Sequence, residues 1–209
     1  MFESSKEVLK SYKRSFKKYG HSTKSLHWMT PEAARLRYRE LLVDINLEGK
    51  SILDVGCGFG DILPFISDNA NKFDYVGIDL VPDFVNIARS KHPKYSFLVG
   101  DYFKKPLAKK FDVVVCSGAL NSSILNADKY RKEAIKIMYE HAMYVVAFNM
   151  AGSHPQPKNR RTSRVHYSDS LEIIDFCTTL TSSVILRQHY RSKDFTVFLY
   201  PCDREERRG

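Results

Sequence analysis

From Lys50 onward the chain changes its hydrophobic period, and short apolar runs begin to alternate with stretches of helical spacing. Residues 51–55, 75–78, 96–99, 111–116 and 143–148 read as strands that are apolar on both faces, which suits a sheet covered on both sides. Residues 61–67, 82–91 and 129–141 between them read as helices. Strand and helix in regular alternation predict an α/β fold, a doubly wound and mostly parallel sheet with right-handed crossovers.

The flanks depart from this alternation. Residues 168–180 read as a helix, followed by two strands, 184–189 and 195–200, whose link from Tyr190 to Asp194 is so short that only an antiparallel hairpin fits. Ahead of the sheet, Val8, Leu9, Tyr12, Phe16 and Tyr19 recur every three or four positions in an amphipathic helix that Gly20 stops. In that helix Tyr12 and Tyr19 are expected simply to dock it. Thr30 followed by Pro31 predicts a capped second helix running to about Ile45. The expected order is two N-terminal helices, five β/α units and a C-terminal antiparallel hairpin. The boundaries fall at 1–46 for a helical cover, 47–203 for the main domain and 204–209 for a frayed tail.

At 209 residues the chain fits one compact domain. It has no apolar stretch long enough to span a membrane, and the N-terminus lacks a secretory signal, so a cytoplasmic location is expected. Cys57, Cys116, Cys177 and Cys202 lack metal-type spacing, so free thiols and no metal are expected. Lys and Arg number 33 against 24 Asp and Glu, a formal net charge of +9. Such an excess favours acidic partners or simply serves solubility. It concentrates in residues 6–24 and 158–164.

The first candidate site is Asp54-Val55-Gly56-Cys57-Gly58-Phe59-Gly60-Asp61, a glycine-rich turn between a predicted strand and a predicted helix. Ligands of open α/β sheets bind at the carboxyl ends of the strands, where glycines let the backbone approach them. Alone, the turn could equally be a tight connection with no ligand. The glycines are spaced G-x-G-x-G, which disfavours dinucleotides, and no Lys-Ser/Thr ending of a phosphate loop follows. Asp79 ends the next strand, where a carboxylate can accept both hydroxyls of a ribose, and Asp101 follows the third, within reach of an adenine amino group. Together these acids mark out an adenosine.

DVGCGFGD, VGIDL, VGDYF and FDVVVCSGALN, in this order, resemble the class I S-adenosylmethionine-dependent methyltransferases, a Rossmann-like family, over roughly residues 40–200. The resemblance implies that Asp54, Gly56, Cys57, Gly58 and Gly60 border the methionine part of S-adenosylmethionine, whose product is S-adenosylhomocysteine. It implies Asp79 on the ribose, Leu80 beside the adenine, Asp101 on its amino group and Tyr102 offering a backbone amide. Cys116 and Ser117 would line the pocket near the sulfonium. Tyr12, Tyr19, His27 and Trp28 are candidate covers, of which Trp28 in its loop is favoured, and one of Arg35 and Arg37 is a candidate partner for the cofactor carboxylate.

Methyl transfer from a sulfonium is an in-line displacement that chiefly needs alignment, with a base only for a protonated nucleophile. The acceptor side should come from the loops after the fourth and fifth strands. Ser117 and Asn121 follow the fourth, in a sequence lacking the Asn/Asp-Pro-Pro-aromatic tetrad of nucleic-acid amino-methyltransferases. His154 follows the fifth and is the first candidate base. Lys158, Arg160, Arg161 and Arg164 are candidates to grip a carboxylate or phosphate, with His166 and Tyr167 behind them.

These residues are expected to serve methyl transfer to an oxygen or nitrogen of a small, anionic metabolite or biosynthetic intermediate. No room is expected for a separate recognition domain. Two rivals stay open: an RNA methyltransferase, with salt-dependent binding, and a non-catalytic cofactor-binding module.

Overall fold

The computed structural model describes residues 5–28, 30–156 and 165–201. Two helices, α1 (Ser5–Tyr19) and α2 (Pro31–Leu42), precede β1 (Lys50–Val55), α3 (Leu63–Ser67), β2 (Phe73–Asp79), α4 (Pro82–Lys91) and β3 (Ser96–Val99). Then come β4 (Phe111–Ser117), α5 (Ala127–His141), β5 (Ala142–Ala151), α6 (Ser170–Thr178), β6 (Val184–Arg191) and β7 (Asp194–Leu199). The seven strands form one sheet in the order β3-β2-β1-β4-β5-β7-β6. The first five are parallel, while β7 runs antiparallel to both β5 and β6. The predicted α/β doubly wound architecture with its terminal hairpin is therefore the one observed.

Local chemistry explains most boundaries. Thr30 caps α2, its Oγ1 accepting the Ala33 N–H at 3.2 Å, with Pro31 in the first turn. Asp169 caps α6 by accepting the Leu171 N–H at 2.9 Å. Helix α2 ends at Leu42, short of the expected Ile45, and Asp44 just beyond takes a left-handed φ of 64°. No helix joins β3 to β4. The connecting residues 100–110 form turns, and Pro106 among them cannot continue a helix. Strand β6 runs on to Arg191, so the hairpin turn shrinks to Ser192 and Lys193.

The sheet divides the core into two layers. Ala34, Tyr38, Leu41 and Leu42 of α2 join α3 and α4 on one face, so α2 is part of the main core. Helices α5 and α6 cover the other, through Ala134, Ile135, Met138, Ile173 and Cys177. A third cluster of Phe59, Val81 and Phe84 receives Leu9, Tyr12 and Phe16, which seats α1 across the carboxyl end of the sheet. Among the described residues no helix is long and apolar enough to cross a membrane. Cys57, Cys116 and Cys177 are free and buried, and no metal-holding cluster occurs among the described residues. Cys202 and the tail lie outside the described residues.

Candidate active site

Between β1 and α3 the chain turns through Gly56, Gly58 and Gly60, with φ of 74°, 54° and 72°. L-residues with a Cβ pay for that left-handed region, so the turn needs glycine. The Gly56 and Cys57 N–H groups donate to the Ile78 carbonyl at 2.8 and 3.2 Å, tying the turn to the end of β2. Asp79 completes the tie. One carboxylate oxygen accepts the Gly58 N–H at 2.9 Å and the other the Val81 N–H at 2.8 Å. At the end of β1, Asp54 accepts the Tyr75 hydroxyl proton at 2.7 Å.

Asp54 is buried and Asp79 half-buried, and neither has a cationic partner among the described residues. Burial pushes the Asp54 carboxyl up to about 7, opposed by the Tyr75 hydrogen bond and reinforced by the charges of Asp79 and Asp61. Burial likewise pushes Asp79 up to about 6, although the N–H groups of Val81, Gly58 and Leu80 favour its ionised form. Both acids face a cavity of about 660 Å³.

The cavity lies at the carboxyl ends of the strands, and α1 roofs it through Ser5, Val8 and Tyr12. The Tyr12 ring stacks on His27 at 4.4 Å between centroids and meets Phe84 edge-on at 5.9 Å. Burial, then the charge of Asp79, pushes the Tyr12 phenol up to about 12. The helical spacing of Tyr12 favours a docking role over a cover, because a helix periodicity does not show that its apolar stripe lands on a cleft.

The cavity continues past β4 towards the hairpin. Ser117 ends β4 and accepts a hydrogen bond from the Asn149 amide at 3.2 Å. Asn121 accepts the Ala151 N–H at 2.7 Å, which joins the loop after β4 to the end of β5. Arg131 of α5 holds this loop from beneath: fully buried, its Nε donates to the Leu120 carbonyl at 2.8 Å. Opposite stands Arg37 of α2, 4.5 Å from the Trp28 ring centroid and paired with Asp194 at 2.5 Å. Arg191 reaches the same carboxylate at 3.3 Å.

Most of the residues singled out by sequence meet on this cavity. Asp54, Gly56, Cys57, Gly58, Asp79, Leu80, Asp101, Tyr102, Ser117, Asn121, Trp28 and Arg37 all line it, as does Tyr167. Others do not. A Cβ on Gly60 would meet His92 and Phe97 at 3.0–3.3 Å, so this glycine serves packing behind the turn. Cys116 is wholly buried in the layer under α5, because alternation along β4 sends it away from the cavity.

His154 is the third. Strand β5 runs on to Ala151, and residues beyond it pass to the outer side of the hairpin, where His154 Nδ1 lies 3.2 Å from Asp169. Its N–H donates to Gln188 at 3.0 Å, and its side chain is half exposed. His166, the fourth, does not line the cavity and is buried against Asp128, 3.1 Å from its carboxylate. Lys158, Arg160, Arg161 and Arg164 lie outside the described residues. Arg191, Lys193 and Asp194, which sequence reading treated as a mere link, line the cavity instead. A short polar turn carries no signal of its position relative to a site three strands away.

Residues 52–142 match the profile of a family described as a methyltransferase domain. Protein 235L of Invertebrate iridescent virus 6, named as a methyltransferase, is 25% identical over 118 residues, 56% of this chain and 44% of that one. Rv1506c of Mycobacterium tuberculosis, also named as a methyltransferase, is 25% identical over 157 residues, 71% of this chain and 92% of that one. The fatty-acid O-methyltransferase of Mycolicibacterium smegmatis is 32% identical over 81 residues, 37% of this chain but 30% of that one. The chain thus spans less than half the length of some curated relatives that it matches.

Among solved structures, the N-methyltransferase NodS from Bradyrhizobium japonicum WM9, in complex with S-adenosylhomocysteine, superposes with a TM-score of 0.67 at 15% identity. That match covers 93% of this chain and 98% of NodS. Magnesium protoporphyrin IX methyltransferase from Synechocystis PCC 6803 gives a TM-score of 0.67 at 14% identity, covering 95% of this chain and 100% of that one. Residues 52–142 are thus similar to a methyltransferase domain, and the fold is shared with solved methyltransferases of the S-adenosylmethionine-dependent class.

The donor of that class is S-adenosylmethionine, and the cavity fits it on three counts. The buried Asp54 and the half-buried Asp79, without a counter-cation among the described residues, suit a ligand bearing a sulfonium and an ammonium group. The turn from Gly56 to Gly58 presents bare backbone to the space between them. Asp79 and Asp101 stand at the ends of adjacent strands, on the same side of the cavity.

Proposed function

We propose that this protein transfers a methyl group from S-adenosylmethionine to an oxygen or nitrogen of a small, anionic acceptor. One observation carries the reading: a single cavity is lined by Asp54, Asp79 and Asp101 at the ends of β1, β2 and β3, and by Arg191 and Lys193 of the β6–β7 hairpin on the other side of the sheet. A cationic donor and an anionic acceptor are thereby sorted to opposite sides.

In this reading Asp79 receives the ribose hydroxyls, with Leu80 beside the adenine, Asp101 on its amino group and Tyr102 offering its amide. Gly56, Cys57 and Gly58 border the methionine chain, and Arg37, backed by Trp28, faces its carboxylate. When bound, the cofactor supplies an electrophilic methyl group on a sulfonium. The protein's own residues then exclude water and align. Tyr12 and Trp28 cover the cavity, while Ser117 and Asn121, both locked by hydrogen bonds to the β5 end, fix the floor where donor and acceptor meet. Burial pushes the thiols of Cys57 and Cys116 upward, so neither is a thiolate nucleophile near neutral pH. No cavity-lining histidine other than His27 occurs among the described residues, and His27 stacks on Tyr12 in the roof. The arrangement suits an acceptor that reaches the site already nucleophilic, such as a carboxylate oxygen or a neutral amine.

The test is release of S-adenosylhomocysteine on incubation with panels of small carboxylic and phosphorylated acceptors, and separately with RNA. Turnover with a small acceptor supports the reading. Turnover with RNA alone, falling steeply with salt, would replace it.

A further inference from the structure

We propose that the β6–β7 turn is the specificity subsite for the methyl acceptor, with Arg191 and Lys193 holding a carboxylate or phosphate and the acceptor's apolar body lying on the adjoining cavity wall. The inference rests on the methyl-transfer reading above and adds to it the residues and the substrate class.

Topology puts the turn in place. Strand β7 runs antiparallel to β5 with Asp194 opposite Ala151, so Ser192 and Lys193 stand just past the carboxyl edge of the parallel strands. Ligands of open α/β sheets bind at that edge. The Gly152 N–H donates to the Lys193 carbonyl at 3.0 Å and pins the turn to the end of β5. Gly152 is required there, since at φ 153° a Cβ would lie 2.0 Å from the Ser168 carbonyl oxygen.

The charges point to an anion. Arg191 and Lys193 line the cavity here, and the one carboxylate beside them, Asp194, is already paired with Arg37. Asp194 is closer to Arg37, at 2.5 Å, than to Arg191, at 3.3 Å. Arg191 Nη1 is buried with no hydrogen-bond acceptor among the described residues. A guanidinium with an unsatisfied buried N–H beside a lysine that has no ion-pair partner among the described residues is matched by the planar oxygens of a carboxylate or by a phosphate.

The wall beside it is apolar. Trp28, Val165, Ile124 and Leu125 line the same cavity, and Leu125 is 54% exposed. Apolar walls with a few convergent polar groups mark small-molecule sites, the polar groups setting orientation. The acceptor class is therefore a small amphipathic acid, with an alkyl or aryl body and one anionic group.

Trp28, the chain's single tryptophan, supplies the probe. Its fluorescence is followed on protein saturated with S-adenosylhomocysteine, while hexanoate, hexyl phosphate or uncharged hexanol is titrated in. The expected result is saturable binding of at least one anion at concentrations about tenfold below those needed for hexanol. Arg191→Gln should weaken that anion by at least about tenfold and Lys193→Gln by less, with hexanol and S-adenosylhomocysteine affinity unchanged in both. Lys193 is exposed in a turn, so its variant tests the subsite even where the arginine variant misfolds. The preferred anion tells carboxylate from phosphate. Hexanol binding as tightly as both anions, or anion binding unaffected by both variants, would overturn the subsite alone. Failure of wild-type protein to bind S-adenosylhomocysteine would instead overturn the methyl-transfer reading, and the subsite with it.

Discussion

Asp79 accepts the backbone N–H of Gly58 at 2.9 Å, across the gap between the end of β2 and the glycine turn after β1. Its second oxygen holds the Val81 N–H at 2.8 Å, so one carboxylate fixes both turns that frame the proposed adenosyl site. The ribose position and the methionine position are thereby parts of one rigid unit. A ligand at this site meets a preorganised backbone, which lowers the ordering cost of binding.

The two acids Asp54 and Asp79 make donor binding depend on pH. With unfolded-state values near 3.9, both Asp54 and Asp79 hold protons more tightly when folded, at about 7 and about 6. Their contribution to the stability of the unliganded protein is fully present below about pH 4 and is lost as pH rises through about 6 to 7. A cationic donor favours the ionised forms, so binding of S-adenosylmethionine near pH 6 should release protons, and affinity should rise from acid to neutral pH. Calorimetry in buffers of different ionisation enthalpy measures this; proton uptake would contradict it.

Gly56 and Ala119 test the turn. A Cβ at Gly56 would fall 2.5 Å from the Ala119 Cβ. Gly56→Ala should therefore weaken S-adenosylhomocysteine by at least about tenfold, since it adds a clash to left-handed strain of about 1–2 kcal/mol. The double variant with Ala119→Gly should recover the clash and keep the strain. Full recovery, or none, in a titration of the pair would show that one of these two causes has been misjudged.

Tyr12 tests the roof. Tyr12→Phe keeps the stack on His27 and should bind S-adenosylhomocysteine nearly as wild type. Tyr12→Ala opens the cavity and should speed dissociation roughly tenfold, read by stopped-flow displacement. Equal dissociation rates in the two variants would place α1 outside the binding event.

Arg131 tests the loop beneath the acceptor end. It donates to the Leu120 carbonyl at 2.8 Å and to the Ser122 carbonyl at 3.4 Å. Arg131→Met leaves buried carbonyls without donors and should cost about 2 kcal/mol or more in urea unfolding. Unchanged stability would mean that the loop holds its own shape.

The sheet was legible because buried parallel strands and amphipathic helices have different periods, and the switch at Lys50 marks where one gives way to the other. The proposed donor half of the cavity was legible for a related reason: Gly56, Gly58, Asp79 and Asp101 sit at or just past strand ends, so finding the strands places them. The proposed acceptor half was legible only in part: the sequence marks Ser117, Asn121 and Tyr167, but Arg191, Lys193 and Asp194 belong to a terminal hairpin that only the antiparallel pairing of β7 with β5 brings to the cavity. His154 misled because the end of β5 was read too early. Three further residues of strand carry it beyond the cavity, and a strand end set by pairing with a later strand leaves no local mark.

The most direct test of the account is thermal stability in the presence of S-adenosylhomocysteine, S-adenosylmethionine or NAD, each in a separate sample. A ligand present at about 100 times its dissociation constant stabilises by roughly 2.7 kcal/mol. The account predicts a clear upward shift with both adenosyl ligands, none with NAD, and loss of the shift in Asp79→Ala. No shift with either adenosyl ligand, or a shift with NAD alone, would contradict it.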